Sequence, residues 1–559
     1  MSDQRSHRPD CEVLVVGAGP TGLMAANLLK RSGVDVRIVD KRAEASRESR
    51  AFAVVARSME LFGQLGLADR FLDRGVLNPG IDFYVAGDHV GGLNYDRAGS
   101  PDTPYPFLVL HPQSNTEAVL IEDLSRLGVE VERGVEVQGL EQDADGVTSR
   151  TTLADGSAVE IRSAYVVGAD GAHSIVRHAL NLSFEGAKYA QTFLLADCRV
   201  GWPDACPLDH ARFRVFMRGS TIALFLPLDG ANRSRVMATD HSDKADLGGA
   251  EAARLDLAEL EAAYRGATGL DVRLSDPVWT TRYRVHHRGV SRYGQGRAFV
   301  AGDAAHIHSP AGGQGMNTGL QDAANLAWKL AAVLRRGAPA ELLDTYDTER
   351  LPVGRQVVAT SDKLFSAAAG KTGWEATLRD WLARPAAAAV TRIDAVQHNA
   401  FRKLSQFEIA YPHGRFVEDG ATSLGPAAPR VGRRAPNARI DRHRDVFDLT
   451  AGYGFTVLAL SRKPLEHDER ERLLSDLEDL TDTSVTVFLV ARTAVGRDGR
   501  TVVPTSHEVF DTYGVTERDG QALYVVRPDG YVAWRSGSLN LDGCRAFLAR
   551  FGEGDARHG

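Results

Sequence analysis

An α/β architecture is expected: a Rossmann-type nucleotide-binding domain, an antiparallel sheet inserted into it, and a smaller α/β unit near the C-terminus. Three observations predict it. Glu12–Asp40 reads strand, glycine turn, helix, strand, as "EVLVV", "GAGPTG", "LMAANLLKRSG" and "VDVRIVD". Between Ala190 and Tyr283 the text changes to alternating runs such as "ARFRVFM" and "TIALFLPL", the period-two pattern of antiparallel strands. Around Tyr411–Arg439 proline, glycine and arginine accumulate and mark a boundary.

Each element has its own signal. Gly33 is a helix stop before the second strand, and "EAVLIEDLSRLG" (117–128) reads as a further helix. After the inserted sheet the chain returns with "AFVAGDAAHIHSPAGGQGMNTG" (298–319) and stays helical to about Gln406. Beyond the boundary come "FTVLAL", a charged helix near 465–480, "VTVFLV" and the hairpin "ALYVVRPDGYVAWR" with its Pro-Asp-Gly turn. The expected units are therefore 1–185 and 286–410 for the nucleotide-binding domain and its helical completion, 186–285 for the inserted sheet, and 425–559 for the last unit.

Composition narrows the function. The 559 residues are 43% hydrophobic, enough for several cores, and the formal charge of -7 is spread over interspersed acids and bases. No basic surface is implied, so a nucleic-acid partner is not expected. The polar start "MSDQRSHRPD" leaves no room for a signal segment, and no apolar run approaches the roughly 20 residues of a membrane helix. Cys11, Cys198, Cys206 and Cys544 form no Cys-x-x-Cys pair, which argues against a disulfide framework. A cytoplasmic location is expected.

Gly17-x-Gly19-x-x-Gly22 is a dinucleotide pattern, but with 55 glycines in 559 residues roughly half a match arises by chance. Context strengthens it: a strand precedes, a helix follows, and Asp40 ends the next strand, where a carboxylate can accept a ribose hydroxyl. The glycines permit the tight turn and let a pyrophosphate approach the helix N-terminus. Only one such fingerprint occurs, so a second nucleotide would visit without a domain of its own.

Gly302-Asp303 likewise sits at the carboxyl end of a short strand, and Gly312, Gly313 and Gly315 permit close backbone approach before a helix marked by Leu320, Ala324, Ala327, Ala331 and Leu334. That helix presents its N-terminal dipole to something negative. Asp303, His306 and His308 are ligand-type side chains, but the two histidines diverge in an extended chain and no further cluster supports them, so no metal is expected. A plain glycine-rich loop with polar histidines is the other reading.

"GAGPTG", "VVGADGAHSIVR" (166–177) and "GRAFVAGDAAHIHSPAGGQGMNTGLQDAANLAWKL" (296–330) resemble, in order and separation, the three FAD motifs of single-component flavoprotein aromatic hydroxylases of the para-hydroxybenzoate hydroxylase type, with polyketide and rifampicin hydroxylases nearest in character. The resemblance covers most of the chain and implies a C-terminal thioredoxin-like domain. It also implies bound FAD, a visiting NADPH or NADH, and oxygen transfer through a C4a-hydroperoxyflavin to an aromatic, polycyclic polyketide substrate.

Residue by residue, the resemblance gives Gly17, Ala18, Gly19, Pro20, Thr21 and Gly22 to the pyrophosphate, and Asp40, beside Lys41, to the adenosine ribose. The family usually carries glutamate at Asp40, so the reach is one methylene shorter. Arg50 matches a cofactor-contacting arginine or is a surface charge; Gln113 matches a glutamine near the ribityl side or caps a helix. Asp170 matches the motif serving FAD and the nicotinamide, or supports a turn. Asp303 is assigned to the ribityl chain, and Pro310, Gly313, Gly315, Met316 and Asn317 to the isoalloxazine.

Phe213, Phe225 and Pro227 are candidates for substrate contacts from the inserted sheet, or core residues of it, and His286 is the one weak candidate for a base. No catalytic side chain is assigned. The last unit has only Cys544, which leaves it a structural or homodimer-forming role rather than dithiol exchange. A Baeyer–Villiger oxygenase and a non-catalytic flavin-fold binding protein are the alternative functions.

Overall fold

The computed structural model describes residues 9–45, 51–95, 100–204, 208–219, 221–228, 233–240, 255–307, 313–369, 393–420, 424–481, 485–491 and 501–552. Its first sheet is built on five parallel strands in the order Ala298–Val300, Ala158–Gly168, Cys11–Val16, Val36–Asp40 and Val131–Arg133. Val15 stands between Val167 and Ile38, and all three are buried, as expected of a parallel sheet covered on both faces. The helix Pro20–Arg31 packs on the long helix Gly315–Arg336 across this sheet. The carboxyl ends of Cys11–Val16, Ala158–Gly168 and Ala298–Val300 thus lie side by side, and each runs into a glycine turn.

The second sheet is eight-stranded and mostly antiparallel, centred on the paired long strands Phe184–Gly201 and Arg273–Val290. It recruits more chain than the interval 186–285. Gly80–Val85 and Asp88–Asn94 form a hairpin that adds to its edge, with Gly80–Val85 parallel to Phe213–Arg218. The strand it pairs with lies some 130 residues further along the chain. One face of this sheet is covered by the helix Leu257–Thr268. The other turns toward the nucleotide-binding half, where Phe213, Leu224 and Leu226 meet Phe52, Ala53 and Leu110.

A small antiparallel sheet of Ala53–Val54, Leu108–Leu110 and Val76–Asn78 lies at that junction. The C-terminal unit is a six-stranded mixed sheet in which Phe455–Ser461 is parallel to Val485–Ala491 and antiparallel to Gln521–Val526. The Pro-Asp-Gly hairpin forms between Gln521–Val526 and Val532–Ser536, with Gly530 at a φ of 77°. Its core continues into the long helix: Trp328 meets Phe455 at 5.5 Å and Phe551 at 5.8 Å between ring centres. Cys544 is buried inside this unit, and burial pushes its thiol up to about 12, so it supplies no thiolate. Among the described residues no helix is long and apolar enough to cross a membrane.

Candidate active site

The first glycine turn is shaped by what a side chain would strike. Gly17 has a φ of 102°, and a Cβ there would lie 2.4 Å from the Ala169 carbonyl oxygen; one on Gly22 would lie 1.9 Å from the Gly17 carbonyl oxygen. Gly19 differs, because a Cβ there would meet nothing within 4 Å. Gly19 is also the N-cap of Pro20–Arg31, no side chain caps that helix, and Pro20 occupies its first turn. Open space over an uncapped helix N-terminus suits a pyrophosphate, whose charge the helix dipole favours. At the end of Val36–Asp40, Asp40 accepts hydrogen bonds from the N–H groups of Ala18 and Arg42 at 2.7 and 2.8 Å, which ties the end of that strand to the turn. Lys41 beside it is exposed.

Thr21 joins this turn to the third motif. A Cβ on Gly302 would lie 2.6 Å from the Thr21 hydroxyl oxygen, and one on Gly319 2.3 Å, so both glycines clear room for that side chain. Between them the chain turns at Gly302, with a φ of 59°, and exposes Asp303. The turn is anchored by Asp322, which is fully buried on the long helix. Its carboxylate accepts from the Gly302 N–H at 3.1 Å, from the Arg350 guanidinium at 2.7 Å, and pairs with His306 Nε2 at 2.7 Å. Burial opposes ionisation of Asp322, but the charges of Arg350 and His306 outweigh it and hold the carboxyl below its ordinary range. His306 thus serves as a partner of Asp322, and among the described residues no cluster could hold a metal ion.

Asn317, in the first turn of the long helix, clasps the small sheet. Its amide oxygen accepts from the Val55 N–H at 3.1 Å, and its amide nitrogen donates to the Ala53 and Gly313 carbonyls at 2.8 Å each. Gly313, with a φ of 63°, lies against Ala53, Gly315 opens the helix and Met316 is buried behind it; no side chain caps this helix either. Two uncapped helix N-termini therefore border one region. Gln113 opens the helix Gln113–Arg126, accepts from the Ala51 N–H at 3.2 Å and donates to Glu117 at 2.8 Å. Asp170 abuts Gly17 and accepts from the Ile175 and Val176 N–H groups at 2.7 and 3.3 Å; burial pushes its carboxyl up. It supports the turn before Ile175–Ala179.

Strand alternation divides the substrate candidates. Phe213 faces Phe52, Ala53 and Leu226 on the inner side. Phe225 is fully buried on the opposite face, with the Trp202 ring at 5.0 Å and Tyr264 of the covering helix in the same core, and Pro227 has the same strand parity. Phe225 is accordingly a core residue of the sheet; Leu224 and Leu226 are the inward neighbours that a one-residue step would have selected. Arg235 was missed by sequence reasoning: it is fully buried on the inner side, doubly bonded to Asp197 at 2.7 and 2.8 Å, with its guanidinium 5.5 Å from the Phe52 ring centre. Asp322 was also missed, although a lone carboxylate within an apolar helical run is a signal of burial against a partner. Arg50, Pro310 and His308, and the side chain of His286, lie outside the described residues.

The chain is similar to known proteins. Residues 10–361 match the FAD binding domain family. Pentachlorophenol 4-monooxygenase of Sphingobium chlorophenolicum is 33% identical over 94% of both chains. 6-Methylpretetramide 4-monooxygenase of Streptomyces rimosus is 40% identical over 63% of this chain and 61% of its own. The solved ternary complex of aklavinone-11 hydroxylase with FAD and aklavinone superposes with a TM-score of 0.75 at 26% identity, covering 98% of this chain and 99% of that one.

Proposed function

The chain belongs to the FAD-binding aromatic hydroxylase family and is a flavin-dependent monooxygenase, and from that premise we propose that it hydroxylates a polycyclic, polyketide-type aromatic compound with electrons from NADPH or NADH. The observation that carries the proposal is the apolar inner face of the second sheet, with Phe213, Leu224 and Leu226, turned onto the strand Ala53–Val54 that Asn317 clasps. Apolar rings beside the third motif would extend this packing from the half-buried Phe213 and Leu224. The relatives named 6-methylpretetramide 4-monooxygenase and aklavinone-11 hydroxylase support the same reading.

FAD, when bound, supplies the redox and oxygen chemistry of the reaction. The chain supplies the rest. Gly17, Gly19 and Gly22 would hold the pyrophosphate and Asp40 the ribose, while Asp303, exposed at its turn, would take the ribityl hydroxyls. Gly313, Gly315, Met316 and Asn317 would border the ring system, and the uncapped N-terminus of Gly315–Arg336 favours negative charge there. The apolar sheet face excludes water, which otherwise diverts oxygen chemistry into peroxide release. No described side chain is placed as a base. The 425–559 unit, read as thioredoxin-like without a Cys-x-x-Cys pair, braces the long helix from behind.

The test is to purify the protein, record its visible spectrum, and follow NADPH and NADH oxidation with and without fused-ring phenols. A yellow protein whose oxidation of reduced nicotinamide accelerates with such a compound, giving a phenol by NMR, is expected. A colourless protein, or a product that is a ring-expanded ester, would overturn the proposal.

A further inference from the structure

The Pro-Asp-Gly turn of the C-terminal hairpin lies where turns rarely do. Hairpin tips ordinarily run over the surface, where water satisfies their polar groups. Here every residue from Arg527 to Tyr531 is buried, and Arg527 and Asp529 are only 1% and 2% exposed. Their charges are met inside the protein. Arg527 forks onto Glu349 at 2.7 and 2.9 Å and holds Asp529 through Nε at 2.9 Å. Asp529 accepts from Asn325 Nδ2 at 3.2 Å, and its carbonyl accepts from Arg57. Lys329 completes the cluster by donating to Glu349 at 2.9 Å, so Arg527 and Lys329 balance Glu349 and Asp529.

The partners of this turn lead to the cofactor side. Asn325 and Lys329 stand on the helix Gly315–Arg336. Glu349 is followed directly by Arg350, which donates to Asp322 at 2.7 Å and to the carbonyl of Thr318, in the first turn of the long helix, at 3.1 Å. Arg350 also donates to the Tyr411 hydroxyl at 3.2 Å, and the Tyr411 ring lies 4.2 Å from that of Tyr531. Both members of the Glu349–Arg350 pair are therefore held from the turn. What Arg350 holds beyond it is the anchor of Gly302 and the opening of the helix.

Stability alone does not call for charges here, since apolar residues of similar volume commonly serve a buried site as well or better. What a bidentate fork adds is orientation: parallel N–H donors fix the plane of a carboxylate as a single ammonium cannot. We propose that the Arg527–Tyr531 turn is a positioning element of the flavin site, in which Arg527, through Glu349 and Arg350, sets the Gly302 turn and the N-terminus of the helix Gly315–Arg336. Arg527 is a positioning residue, acting on the cofactor only through these others. The proposal rests on the placement of the FAD ring system beside Gly313–Asn317, and it makes the C-terminal unit part of the cofactor site.

The test compares the full-length wild type with three variants by melting temperature, FAD dissociation constant and reduction potential of the bound flavin. Arg527→Lys keeps the charge and loses the fork. Tyr411→Phe keeps the ring on Tyr531, loses the hydroxyl that Arg350 reaches, and stands in for Arg527→Lys if that protein does not fold. Arg535→Lys is the control: it breaks a fork onto Asp419 at 3.0 and 2.8 Å that joins two strands of the C-terminal sheet. Arg527→Lys is expected to weaken FAD binding about tenfold. It should also make the potential more negative, since a displaced helix N-terminus favours the anionic reduced flavin less. Tyr411→Phe should follow in the same direction by about threefold, and Arg535→Lys should lower the melting temperature alone. Unchanged affinity and potential in Arg527→Lys, or in Tyr411→Phe where it stands in, overturns the proposal, as does an equal change in Arg535→Lys. A wild type that takes up no FAD overturns it together with the flavin reading. The expected shifts in a yellow protein that never oxidises reduced nicotinamide would sustain it while refuting the hydroxylase function.

Discussion

Two glycine turns meet around Thr21 and are held in different ways. The Gly17–Gly22 turn is fixed by steric exclusion, because backbone carbonyls stand where side chains would be. The Gly302 turn is fixed by charge, because a buried carboxylate 20 residues on gathers its N–H, His306 and Arg350. Steric exclusion rests on the turn itself and on the Ala169 backbone, whereas the charged arrangement needs side chains from three parts of the chain. The first turn is therefore intolerant of bulk, and the second, which has no room for a side chain at Gly302 either, depends in addition on every member of its network.

The largest expected effect comes from breaking the steric turn. Gly22→Val sets atoms against the Gly17 carbonyl with no side chain able to yield, so flavin absorbance of the purified protein should fall below about a tenth of wild type. Breaking the charged turn comes next. Asp322→Asn leaves Arg350 buried without its counter-charge, which costs about 3–5 kcal/mol and should lower both the melting temperature and FAD affinity. The double change Asp322→Leu with Arg350→Met should recover much of the stability but not the affinity, since the Gly302 N–H stays without its acceptor.

A pH titration sharpens the contrast at a third place. Glu349 is buried with Lys329 and Arg527 at 2.9 and 2.7 Å; burial opposes its charge, but Arg527 and Lys329 outweigh that and pull it down to about 2. The folded value lies below the unfolded one, so this stabilisation is complete above the usual glutamate range and is lost as pH falls toward about 2. Chemical denaturation between pH 6 and 3 should show that loss, and Glu349→Gln should flatten it. The smallest effect on the fold is expected from Gly19→Ala, where a Cβ meets nothing within 4 Å: stability should change by about 0.5 kcal/mol or less, yet flavin titration should show weaker binding. Unchanged flavin affinity would remove the pyrophosphate from that space.

These cases show why some of the molecule was legible from its sequence. Gly17, Gly19, Gly22 and Asp40 carry a pattern whose spacing is itself the geometry, and Gly302 with Gly313–Asn317 repeats the logic at a second strand end. Side-chain facing in the second sheet was not legible at the level of one residue, because "TIALFLPL" is apolar on both faces and its alternation names no inside; Phe225 and Leu226 divide only once the helix Leu257–Thr268 is placed. Asp322 and Arg350 were invisible for another reason. Their meaning lies in partners 16 to 28 residues away along the chain.

The bracing of the long helix by the C-terminal unit bears on the order of events during synthesis. Glu60, paired with Arg57, also holds Arg434, and Glu349, paired with Lys329, also holds Arg527, so each buried carboxylate gains its second cation from a residue translated much later. Until Arg527 has emerged from the ribosome, Glu349, which holds Lys329 of the long helix, has only one of its two cations. A nascent chain that has passed all three glycine motifs has therefore not yet completed the charge pairing behind the helix Gly315–Arg336.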